Sequence, residues 1–163
     1  MTNSDNTNAI SDRDIEIREV GLDELPVISR MNWTLFNERR IINRFDRADL
    51  MMLVAYADGD PVGFKVGYGK ADGVYYSAKG GTVPLVRRRG IARILLDEMI
   101  DRAIKLGYQR FAFDTFPSLH VGMTLMAIDA GFVINGVDYS ESMNAYRFRF
   151  IRDLVPPEDE ASY

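Results

Sequence analysis

The sequence predicts a single α/β domain, and three observations carry that prediction. Short apolar or alternating stretches of strand length are interleaved with amphipathic stretches of helical period. Two of the strand-like stretches are joined by the turn Asp58-Gly59-Asp60-Pro61, which makes them a hairpin. A third runs through Pro84 and three consecutive arginines into Gly90 and a strongly amphipathic helix. No internal repeat and no linker-like composition interrupts the middle of the chain. The domain is therefore expected to span residues 14–154, with polar, flexible tails at 1–13 and 155–163.

The elements follow in order. Asp14-Ile15-Glu16-Ile17-Arg18-Glu19-Val20 alternates cleanly and reads as a strand. Residues 23–31 read as a helix and residues 33–44 as a second one. Residues 51–57 and 62–68 are the two strands of the hairpin. Residues 74–83 form the next strand, and Gly80-Gly81 inside it marks a bulge or the close approach of another backbone. Residues 89–106 carry apolar side chains at Ile91, Leu95, Met99 and Ala103, with Arg93, Asp97, Asp101 and Lys105 on another face, a helical pattern. Gly107 ends it with a left-handed cap. Residues 109–116 read as a strand. Ser118 caps a helix running to Ala130, and Gly131 stops it. Residues 132–139 and 143–150 make a final antiparallel pair.

Composition excludes several classes of function. The 163 residues contain no cysteine, so disulfides, thiolate metal sites and a cysteine nucleophile are ruled out. His120 is the only histidine, and no calcium-loop spacing occurs, so no metal site is expected. No apolar run is long enough to span a membrane, and the polar start lacks a signal-peptide core, so a cytoplasmic location is expected. The net charge is −4, and an acidic chain is a poor general binder of nucleic acid. Arg87, Arg88, Arg89 and Arg93 are a local exception, and they sit where a helix begins. A helix start offers unpaired N–H groups and the positive end of the dipole, and a glycine lets a ligand approach closely. The combination predicts a site for a phosphate or pyrophosphate.

These residues resemble the signature of the GNAT superfamily of acyl-CoA-dependent N-acyltransferases. Its pattern Q/R-x-x-G-x-G/A is matched by Arg87-Arg88-Arg89-Gly90-Ile91-Ala92, with Pro84 in register upstream in Thr82-Val83-Pro84. Asp129-Ala130-Gly131-Phe132 resembles the family's junction between its last helix and the following strand. The resemblance implies a central, mostly antiparallel mixed sheet flanked by helices, and acetyl-CoA as co-substrate. It implies that the backbone of Arg88, Arg89, Gly90, Ile91 and Ala92 cradles the pyrophosphate. Arg87, Arg88, Arg89 and Arg93 would line the approach to the 3′-phosphate. Gly81, Thr82 and Val83 would pair with the pantetheine arm, and Met123 would border it, unless Met123 only fills the core.

The implied chemistry is direct aminolysis of a thioester on an amine, small-molecule or peptide, with a homodimer left open. A base must remove the amine's proton, and the carbonyl oxygen wants an N–H donor, expected near Val83. Many family members protonate the thiolate from a tyrosine in N-x-x-A-x-x-L-Y-x-x-x-G-F. Counting back from Gly131-Phe132, the asparagine position is His120 and the tyrosine position is Ala127, so that acid is absent. His120 is either an acid or base in its place or a polar group at the helix start. Tyr76 stands where some members carry a glutamate base; with an ordinary pKa of about 10 it is a poor base, and it either contacts substrate or packs. Asp114 and Glu38 are further carboxylates for the acceptor side, unless they are surface groups. Phe36, Trp33, Phe45 and Tyr68 fall on segments that line the acceptor cleft in this family, with core packing expected for Trp33 and Phe45. A non-catalytic CoA-binding or sensory domain of the same fold is the alternative.

Overall fold

The computed structural model describes residues 15–84 and 90–155. Among these residues, seven strands form one sheet: β1 (Ile15–Glu19), β2 (Met51–Ala57), β3 (Asp60–Gly69), β4 (Val74–Thr82), β5 (Arg110–Thr115), β6 (Val133–Ser140) and β7 (Ala145–Asp153). Their spatial order is β1-β2-β3-β4-β5-β7-β6. Every neighbouring pair is antiparallel except β4 and β5, which are parallel. A parallel pair needs a crossover, and α2 (Ile91–Lys105) supplies it.

The sheet has two covered faces. On one, α2 and α3 (Val121–Asp129) pack Ile91, Leu95, Leu96, Met99 and Ala127 against Leu53, Tyr75, Phe111 and Phe113. The other is covered by α1 (Leu25–Phe36) and the segment after it, through Ile28, Met31 and Ile41 against Met52, Val54, Phe64 and Val66. β2 and β3 are sandwiched between these layers. That explains their nearly continuous apolar runs, in place of the alternation of a strand with one wet face.

Three helix expectations need correction. Residues 23–31 and 33–44 are not two helices; one helix, α1, runs through Trp33 and stops at Asn37. Asn37 takes the left-handed conformation (φ 52°) and its N–H bonds the Trp33 carbonyl, which closes the helix. Beyond it, the buried Asn32 side chain donates to the carbonyls of Glu38 (2.7 Å) and Arg40 (3.3 Å). The chain is thus held as a loop, and Ile41, Ile42 and Phe45 reach the core without a helical turn. The third correction concerns α3: it begins at Val121, two residues later than a Ser118 cap would place it, with His120 at the N-cap. The Phe116 carbonyl accepts the N–H groups of both Leu119 and His120, so Ser118 lies in a turn before the helix. The tails at 1–13 and 156–163 lie outside the described residues.

Candidate active site

The sheet opens at its parallel seam. β4 and β5 pair from Val74↔Arg110 to Ser77↔Phe113 and no further. Beyond that point β4 stays with β3 up to Gly63↔Thr82, while β5 stays with β7 up to Thr115↔Phe148. A bulge accompanies the parting: Gly67 faces Ser77 and Val66 faces Lys79, leaving Ala78 as the extra residue. A bulge bends its strand, so the far half of β4 is free to leave β5.

Backbone direction along that half follows from one bond. Val83 N–H donates to the Val62 carbonyl at 2.8 Å. In an antiparallel ladder, residues that exchange bonds alternate with residues whose N–H and C=O point away. Gly81 therefore turns toward β3, whereas Gly80 and Thr82 turn toward the side that β5 has left. The Val83 N–H is thus committed to β3, whereas Gly80, nearby on the same strand, aims its own at the opening.

The opening leads into a cleft between the strands and the helices α2 and α3. Phe64, Lys65, Gly80, Gly81 and Thr82 line it from the strands, Ala92 and Leu95 from α2, and Met123 and Met126 from α3. Both glycines are required by close approach. A Cβ on Gly80 would stand 2.9 Å from the Phe64 carbonyl oxygen, and one on Gly81 would stand 3.0 Å from Leu35 and 3.1 Å from Phe36.

Gly90 ends the approach to α2. It is the N-cap at φ 79°, and no side chain caps the helix. A Cβ on Gly90 would meet nothing within 4 Å among the described residues. The first N–H groups of a helix have no partner within it, and here they start beside Ala92, a lining residue of the cleft. Ile91 is 1% exposed and anchors this turn in the core, so only its backbone can meet a ligand. Arg93 is tied down: its guanidinium bonds Asp97 (3.0 Å) and Asp129 (3.1 Å), joining α2 to the end of α3. Arg87, Arg88 and Arg89 lie outside the described residues.

The other face of the seam carries a polar pair. Tyr76 Oη donates to Asp114 Oδ2 at 3.0 Å. Burial first, and then the Asp114 carboxylate, push the Tyr76 hydroxyl well above the ordinary tyrosine range. Tyr76 therefore holds its proton, and Asp114 is the acceptor of the pair. Asp114 stands one residue past the last β4–β5 pair. Phe111, Phe113 and Thr115 are buried toward α2 and α3, which puts Asp114 on the opposite face. Lys70 lies 3.8 Å over the Tyr76 ring, and the buried Tyr68 ring is 5.7 Å away.

Other expected site residues are placed apart from this pair. Glu38 is paired with Lys79, which also bonds the Arg40 carbonyl and lies over Phe36. Trp33 is half exposed with Arg39 over its ring, so the expectation of core packing fails for it, while Phe45 does pack against the core. His120 is exposed, and its imidazole has no hydrogen-bond partner among the described residues; only its backbone serves the turn into α3.

Sequence reasoning missed Lys65. It sits in the middle of Val62-Gly63-Phe64-Lys65-Val66, where an alternating reading puts it in water. The residue is 5% exposed, and no hydrogen bond or ion pair reaches it among the described residues. Burial alone lowers its ammonium from the ordinary 10.5 to about 8. The available signal was the apolar run on both sides, which marks a strand covered on both faces. Between pH 8 and 10 the folded chain gives up this proton while the unfolded chain keeps it, so stability is expected to rise with pH in that window. Lys65→Met should abolish the rise and stabilise the chain at pH 7 by about 3 kcal/mol, measured by denaturant titration.

The fold is shared with known proteins. Residues 32–118 match a family model described as an acetyltransferase (GNAT) domain. No curated protein matches the chain. Among solved structures, the ribosomal-protein-S18-alanine N-acetyltransferase of Escherichia coli superposes with a TM-score of 0.75 at 13% identity, over 91% of this chain and 99% of that one. An IAA acetyltransferase from Bacillus cereus gives 0.75 at 18% identity, over 86% and 99%. Arabidopsis thaliana NAA60, in complex with a bisubstrate analogue, gives 0.69 at 15% identity, over 88% and 99%. No helix among the described residues is long and apolar enough to cross a membrane.

Proposed function

We propose that this chain, which belongs to the GNAT acetyltransferase family, transfers an acetyl group from acetyl-CoA directly to an amine. The observation that carries this reading is the parting of β4 from β5 beyond Ser77 and Phe113, into a cleft that reaches the Gly90-capped start of α2. The residues fit such a co-substrate. Gly80 offers backbone groups to an amide-bearing arm, and the start of α2 offers N–H groups to a diphosphate.

When bound, acetyl-CoA supplies the electrophilic thioester carbonyl and a thiolate leaving group. Gly80 N–H donates to the carbonyl oxygen as charge gathers there. The start of α2 receives the diphosphate. Asp114, oriented by Tyr76, receives the proton that the acceptor's ammonium must lose before it can attack, directly or through water. The two faces of the seam thus hold donor and acceptor on opposite sides of one gap. The bisubstrate analogue bound by the Arabidopsis relative supports such direct transfer.

Calorimetry with acetyl-CoA, followed by thiol release in the presence of a panel of amines, tests the reading. No binding of acetyl-CoA overturns it. Ala127, fully buried where a tyrosine acid is common in the family, favours the second reading, a CoA-binding domain without turnover. Binding without thiol release on any amine would select that reading. His120→Asn is expected to leave the rate and its pH profile unchanged, because the exposed imidazole bonds nothing among the described residues. A loss of roughly 100-fold would instead give His120 the proton-transfer role.

A further inference from the structure

Lys65 is the feature that the reading above does not use. Its stem crosses β4 at Gly80, where Cγ would lie 3.3 Å from a Cβ on that glycine. Lys65 and Gly80 are register partners, and the ladder phase set by Val83 makes theirs the non-bonded type of pair, whose side chains stand closest. The lysine therefore occupies the space that Gly80 leaves, and it lines the cleft. The lining side chains from the helices, Ala92, Leu95, Met123 and Met126, are all apolar. No carboxylate among the described residues lines the cleft.

Lys65 is 5% exposed with no partner among the described residues, so its ammonium is hydrated only through the cleft it lines, whereas a methionine or leucine would fill the same space at no electrostatic cost. An occupant that displaces this water must supply an acceptor in its place. An occupant suited to this place has acceptor oxygens on an otherwise apolar chain. Resting on the proposed function, we propose that Lys65 is a binding residue for the acyl donor, its ammonium donating a hydrogen bond to a carbonyl oxygen of the donor's arm. Such charge-assisted bonds are stronger than neutral ones. The contact orients the arm along the edge that Gly80 presents.

The test measures affinities of wild type, Lys65→Met and Lys65→Gln for acetyl-CoA, CoA and 3′-phosphoadenosine diphosphate, which carries the diphosphate without the arm. Thermal unfolding shows that each variant is folded. Lys65→Met is expected to weaken acetyl-CoA by roughly 10-fold or more, the weight of a hydrogen bond to a charged group. Lys65→Gln, which keeps a donor, should recover part of the loss. Binding of 3′-phosphoadenosine diphosphate should be unchanged in both variants. A larger loss for acetyl-CoA than for CoA identifies the thioester oxygen as the acceptor, and equal losses identify an amide of the arm. A similar loss for 3′-phosphoadenosine diphosphate overturns the proposal, because the lysine would then serve the diphosphate. Unchanged acetyl-CoA affinity in Lys65→Met overturns it alone, whereas a wild type that binds no acetyl-CoA overturns the function as well.

Discussion

Gly90→Glu is expected to abolish acetyl-CoA binding while the chain stays folded. The residue is the N-cap of α2 at φ 79°, a conformation that any side chain strains by about 1–2 kcal/mol. A Cβ there meets no atom of the described residues within 4 Å, so among these residues a glutamate has nothing to collide with. In the proposed function the approach to α2 receives the diphosphate, and the carboxylate would place like charge where the start of the helix should draw an anion. Calorimetry should show a loss of roughly 100-fold or more, since repulsion and blocked N–H groups act together. Gly90→Ala separates the causes. It carries the same backbone strain without charge or length, so it should keep most of the affinity and share the same small drop in melting temperature. Equal affinity for wild type and Gly90→Glu would remove this helix start from the site.

Asp114→Asn is expected to lower turnover by roughly 100-fold, the lower end of the general-base range. Tyr76 donates to the Asp114 carboxylate, and burial and that carboxylate both hold the tyrosine proton in place. In the pair, only Asp114 can accept a proton. Asparagine keeps the Tyr76 hydrogen bond through its carbonyl oxygen, so the strand geometry survives and the loss falls on proton acceptance. The acetyl-CoA dissociation constant should stay within about twofold, because Asp114 faces away from the cleft beside α2. Tyr76→Phe should cost only a few-fold, since it removes orientation and leaves the carboxylate. Full turnover by Asp114→Asn with any amine that the wild type acetylates would pass the proton to another group.

Much of the fold was legible because several constraints are local. Gly59, Gly107 and Gly131 stand at positive φ in turns or at helix ends, and no neighbouring contact is needed to know that such positions favour glycine. The hairpin of β2 and β3 and the pair of β6 and β7 follow from turns flanked by strand-like runs. Gly80-Gly81 in a strand marks a bulge or a close approach. The structure puts the bulge at Ala78 and gives the glycines two different neighbours, Lys65 on one face and Phe36 on the other. Residues 33–44 misled because Ile41, Ile42 and Phe45 recur at spacings that suit a helix, while a side chain from α1, Asn32, holds the segment open as a loop.

By itself the sequence determined the order of the elements, the strand-to-helix junction at Gly90 and the absence of thiol chemistry. Each is written in residues next to one another, because backbone conformation and composition are local properties. Only the tertiary structure decided that β4 leaves β5 after Ser77, that Tyr76 meets Asp114 across 38 residues, and that Lys65 is buried. Those depend on which strands become neighbours and which faces are covered. A lysine between two apolar residues reads the same in water or under two layers, and the layers are set by the packing of α1, α2 and α3 on a sheet whose partners lie far apart in the chain.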